Sequence, residues 1–127
     1  MITISIPMWS KDQTLVPLVD IVEVFKTNDF RWTILTLDGS GRFPNGSTWE
    51  DFQRQVDAGE AVFDWSEILE FARNLQQAYE GEIAATNSQG DVVADIEISD
   101  STEYIISFDP LIFDRESIEK RAEKLSK

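Results

Sequence analysis

Residues 82–109 read EIAATNSQGDVVADIEISDSTEYIISFD, and the fold is decided by how they alternate. Three runs, near 82–87, 92–98 and 103–109, are rich in Ile, Val, Ala and Thr. They are separated by the turn formers Gln89-Gly90 and Asp100-Ser101-Thr102. This pattern predicts a three-stranded antiparallel meander. A three-residue second loop pairs Ile98 with Tyr104, Ile96 with Ile106 and Ala94 with Phe108. A two-residue turn at Gln89-Gly90 pairs Ile83 with Ile96 and Ala85 with Ala94. Every one of these pairs is apolar, so one face is buried. Successive side chains alternate across a sheet, which sends Asp95, Glu97, Ile105, Ser107 and Asp109 to the opposite face and sets Glu82 against Glu97.

Before the meander, Asp64-Trp65-Ser66-Glu67 has the spacing of a capping box. It predicts a helix whose buried stripe is Ile68, Phe71, Ala72, Leu75 and Tyr79, stopped by Gly81. Ser47-Thr48-Trp49-Glu50 has the same logic and predicts a short helix ending by Gly59. Phe30 to Leu37 is β-branched and aromatic and reads as a strand, closed by the turn signal Asp38-Gly39. Thr14 caps an expected helix to about Lys26, with Leu15, Leu18, Val19, Val22 and Phe25 on one face. Ile2, Ile4 and Ile6 alternate with polar residues as an opening strand. After the meander, Asp114 caps a charged helix from Arg115 to Leu125 whose apolar stripe is thin, so residues 115–127 are expected to pack at an edge. The chain of 127 residues carries no repeat or linker and reads as a single domain. The expected fold class is α+β, a mostly antiparallel sheet in the order β-α-β-α-α-β-β-β-α with helices packed on one face.

Residue types limit the chemistry. The sequence has neither Cys nor His. Disulfides, thiolate nucleophiles, imidazole bases, Ser-His-Asp triads and sulfur- or imidazole-based metal sites are therefore excluded. Carboxylate, Lys, Tyr and Ser/Thr chemistry remain, with hard cations held by oxygens. Acids are so numerous that pairs such as Asp95 with Glu97 or Asp109 with Asp114 arise by chance. None stands in a catalytic motif, so catalytic residues, cofactors and metal ligands are assigned none.

The formal net charge is −13, unevenly distributed. Residues 64–114 hold twelve acids and only Arg73 as a base, whereas residues 115–127 hold five bases and three acids. Direct nucleic-acid binding is disfavoured because phosphate contacts need Lys and Arg. An anionic membrane surface would repel the chain, and no apolar run approaches the roughly 20 residues that span a bilayer. The opening residues lack a basic stretch followed by an apolar one, so no signal peptide is expected and a cytoplasmic location is the default.

Three local patterns have ordinary explanations. Gly41 to Thr48 fits the glycine spacing of a phosphate-binding loop, but Ser47 stands where the lysine belongs. Asn45-Gly46-Ser47 matches a glycosylation acceptor, which matters only in a secretory compartment. Asp38-Gly39-Ser40-Gly41 begins like a calcium loop, but Arg42 and Trp49 stand near ligand positions. Of the four tryptophans, Trp32, Trp49 and Trp65 suit the core, and Trp9, at a strand end, suits partial exposure.

The expected function is that of a non-catalytic acidic domain recognising a basic protein surface, such as an inhibitor or immunity-type protein against a cationic nuclease-like partner. Glu82, Asp95, Glu97 and Asp109 around an Ile105 anchor form the expected docking face, extended by Asp64, Glu67 and Glu70. The alternatives are a DNA-mimicking inhibitor of a nucleic-acid-binding protein and a small carboxylate-dependent enzyme. Against all of these stands a plain solvated face whose charges prevent aggregation.

Overall fold

Three apolar rows run across the sheet and define its buried side. Trp32, Ala85, Ala94, Phe108 and Ile2 form the first; Ile34, Ile83, Ile96, Ile106 and Ile4 the second; Leu37, Gly81, Ile98, Tyr104 and Ile6 the third. A computed structural model describes residues 1–43 and 47–126. The strands are β1 (Ile2–Pro7), β2 (Arg31–Gly41), β3 (Val62–Phe63), β4 (Leu75–Thr86), β5 (Val92–Ser99) and β6 (Glu103–Phe108). They are antiparallel throughout, in the order β1-β6-β5-β4-β2-β3. The helices are α1 (Leu18–Glu23), α2 (Trp49–Asp57), α3 (Trp65–Asn74) and α4 (Arg115–Leu125). Their buried residues, among them Ile21, Val22, Phe52, Ile68, Phe71, Ile118 and Ala122, join the apolar rows in one core. Tyr104 is buried in it and donates its hydroxyl proton to the Val16 carbonyl at 2.7 Å, which satisfies a polar group that burial would otherwise penalise. Among the described residues, no helix is long and apolar enough to cross a membrane.

The α+β architecture and the meander register agree with the sequence, including Ile83 against Ile96 and Glu82 against Glu97. The first meander turn differs in form. Asn87 accepts backbone protons from Gln89 and Asp91, and a bulge follows Ala85, so a longer loop reaches the same register as the expected two-residue turn. At the second, Asp100 and Ser101 both adopt positive φ (51° and 57°), and Thr102 N–H closes the loop on the Ser99 carbonyl.

Other elements differ more. Asp38-Gly39 does not turn. Strand β2 continues to Gly41 because β4 begins at Leu75 and supplies it with partners. Glycine is required there: a β-carbon on Gly39 would stand 2.5 Å from the Gln77 carbonyl oxygen. The helix expected to run to Tyr79 therefore stops at Asn74, and Leu75, Ala78, Tyr79 and Gly81 are strand residues. The first helix starts at Leu18, four residues after Thr14. Residues before it instead fold back on the segment just after β1, with a bridge between Trp9 and Leu15 and Val16 N–H donating to the Met8 carbonyl. The cap of α2 is Thr48 with Asp51, one residue later than expected. The short strand β3 is an addition to the expected order. Pro44, Asn45 and Gly46, which lie in the phosphate-loop and glycosylation patterns, fall outside the described residues.

Candidate functional site

The side of the sheet away from the helices carries the acids. One row crosses it as Thr36, Glu82, Glu97, Ile105 and Ser5, and the next as Val62, Thr33, Ala84, Asp95, Ser107 and Thr3. Asp38 lies opposite Glu80, and Glu103 opposite Ser99, which adds a third acidic row toward the Asp100 turn. Three ion pairs occur among the described residues: Arg54 with Asp51, Arg73 with Glu23 and Arg115 with Glu119. None reaches this face. Helix α4, with the basic end of the chain, packs on the helical side, where Arg121 donates to the Glu23 carbonyl at 3.0 Å. The tail therefore leaves the sheet acids uncompensated.

Crowding of like charges shows in their proton affinities. Asp95 is pushed up to about 7, first by partial burial, then by a hydrogen bond to Glu82 and by the charges of Glu82 and Glu97. Glu80 is raised by its hydrogen bond to Asp100 and the charge there, with Asp38 adding to the effect. Carboxylates without cations nearby hold protons in place of counter-charges. Two hydroxyl contacts occupy the margin of the face: Ser5 donates to Glu103 at 2.6 Å, and Thr3 meets Ser107 at 3.1 Å.

Apolar side chains stand among the acids. Besides the half-buried Ile105, Leu35 is 45% exposed and Val62 41%. Leu35 faces this side by simple alternation from the buried Trp32 and Ile34, and the register of β2 shifts just after it, between Ile34 and Thr36. Two residues then oppose Glu82, both point outward, and Leu37 returns to the buried side. Alternation alone would not place Leu35 and Thr36 together, so the bulge is what the sequence hides. Glu80 and Asp38 fall outside the expected face because a helix to Tyr79 and a turn at Asp38-Gly39 end both strands before these residues pair, and Asp100 reads only as a turn former.

The structure divides the expected set. Glu82, Asp95, Glu97 and Ile105 are neighbours on adjacent strands. Asp109 follows the end of β6, and its carboxylate accepts the Leu111 backbone proton at 2.9 Å, so it serves the turn. Asp64, Glu67 and Glu70 do not extend the face. They belong to α3 and its cap, which pack on the other side of the sheet through Ile68, Phe71 and Ala72. There Glu67 and Glu70 line a separate cavity of about 250 Å³ with Phe43, Phe52, Phe63 and Phe71. Among the described residues, no group of three or more acidic side chains is arranged to hold a metal ion.

No family model matches the chain, and no curated protein and no solved structure gives a significant match.

Proposed function

We propose that the outer sheet face is a docking surface for a basic protein, and that the domain works as a non-catalytic binding module. The observation that carries this reading is the directly facing pair Glu82 and Glu97, flanked by Asp95, with no cation within ion-pair distance among the described residues. Like charges set opposite each other on a sheet cost up to about 1 kcal/mol per pair. Lys and Arg side chains from a partner would remove that cost on docking. Complementary charge would speed encounter, while desolvation of Leu35, Val62 and Ile105 would set the lifetime of the complex. In its narrowest form the partner is a cationic nuclease-like protein and the domain its inhibitor.

The test is association of the immobilised domain with a panel of basic nucleases at 50 and about 300 mM salt, alongside an acidic protein of similar size. Replacing Glu82 and Glu97 by Lys should slow association with a basic binder at least tenfold. Replacing Glu116 and Glu119, on the helical side, should change it far less. Equal effects from the two pairs would reduce the face to a contributor to net charge and remove its role as a site. Duplex DNA, added as competitor, separates a nucleic-acid mimic, which it would displace, from a domain that reads another surface of its partner.

A further inference from the structure

A second site lies on the opposite side of the molecule, in the cleft between α2 and α3. Its walls are aromatic. Phe63 and Phe71 stack at 5.6 Å, Phe71 and Phe52 at 5.1 Å, and Phe52 and Phe43 at 5.2 Å, with planes inclined by 20–26°. Phe52 and Phe71 are buried, while Phe63 and Phe43, which also lies 6.2 Å from Phe71, are partly exposed.

Its rim is anionic. Glu67 and Glu70 lie one helical turn apart on α3, so both point to the same side of the helix. The Glu67 carboxylate is fixed in place because it accepts the Asp64 backbone proton at 3.0 Å in the capping box. The Glu70 carboxylate meets no donor among the described residues; only its backbone carbonyl is engaged, by Asn74. Gln55 of α2 and Ser47 are the neutral polar residues of the lining, and among the described residues no Lys or Arg lines the cavity.

Such a cavity selects among ligand classes by elimination. An anion would meet two carboxylates and no compensating cation. A neutral apolar ligand would fill the aromatic end and leave the carboxylates unused. A metal ion would find two carboxylates, one of them already engaged in the α3 cap, too few oxygens for a hard cation. An organic cation uses both ends: its apolar stem lies on the rings, its charge reaches Glu70 and Glu67, and phenyl faces attract cations in their own right. At about 250 Å³ the space falls below the roughly 300 Å³ where drug-sized pockets begin. It therefore suits a single short group. We infer that this cleft binds an ammonium or guanidinium group on a short apolar stem, supplied by an arginine or lysine side chain or by a free amine. The inference is independent of the sheet face.

The test is a titration of the whole chain, followed by backbone amide resonances and the indole N–H of Trp49, whose ring lies 5.0 Å from Phe43 and 5.8 Å from Phe52. The probes are phenethylammonium and a capped arginine amide, with benzyl alcohol and phenylacetate as neutral and anionic counterparts. Both cations should shift Trp49 and the residues around Phe63 and Glu70, and the tighter of the two identifies the natural source. Glu70→Gln, an exposed and nearly isosteric change, should weaken cation binding at least fivefold and leave the weak response to benzyl alcohol unaltered. Charge reversal at Glu82 and Glu97 should leave this titration untouched, which keeps its outcome separate from that of the docking face. Equal responses to the cations and their uncharged counterpart, or full cation affinity in Glu70→Gln, would overturn the assignment.

Discussion

Asp95 occupies the most crowded position of the outer face, half-buried between Glu82 and Glu97. Its folded-state proton affinity is raised to about 7, above the unfolded value near 3.8. The folded protein therefore binds more protons than the unfolded chain between those limits. Stability from this group is fully present below the unfolded value near 3.8 and is lost as pH rises through about 7. Asp95→Asn should accordingly stabilise the protein by about 1 kcal/mol at pH 8, the scale of a facing like-charge pair. It should also flatten the dependence of Tm on pH between 5 and 7. A thermal melt series by circular dichroism checks both, and an unchanged slope would assign the effect to other acids. The Glu82–Glu97 pairing was readable from sequence because alternation and the two turns set Ile83, Ile96, Ile98 and Ile106 on one face together. The burial of Leu37 beside an outward Leu35 and Thr36 was not readable, since a bulge changes which residues share a side without changing composition.

At the scale of elements, the start of α3 was legible and its end was not. The Asp64 carboxylate accepts the Glu67 backbone proton at 2.8 Å, and Glu67 returns the contact to Asp64 N–H. Short-range chemistry of this kind is written in four residues. Asp64→Ala should cost about 1 kcal/mol, read as a shift of the urea midpoint with unchanged slope. A loss near zero would show that packing of Ile68 and Phe71 alone holds the helix. Where α3 stops is set at long range. Leu75 and Tyr79 fit a helical stripe equally well, but the exposed end of β2 offers hydrogen bonds that only an extended chain can take. Propensity yields to tertiary pairing in such stretches. The same competition moved the first helix, whose expected opening turn pairs with Met8 and Trp9, just beyond β1.

For the whole molecule, a net charge of −13 acts on a body whose sheet acids make no ion pair among the described residues. Self-repulsion should therefore weaken the folded state at low ionic strength. Raising NaCl from about 20 to 500 mM, which shortens the screening length severalfold, should lift Tm by about 3–8 °C. A flat or falling curve in calorimetry would mean that surface ion pairs outweigh the repulsion. The charge imbalance was plain in the sequence, and the meander assigned part of it to one side. Its separation from the aromatic cleft was not, because that depends on which face the helices cover. One further consequence follows from strand order. Strand β1 is paired only with β6, so Ile2 meets Phe108. During synthesis the first strand leaves the ribosome roughly 5–20 s before the one it must join, at ordinary elongation rates. Throughout that interval its three isoleucines travel without a neighbour, and the nascent chain is most exposed to chaperone capture and misassociation just before its last strand emerges.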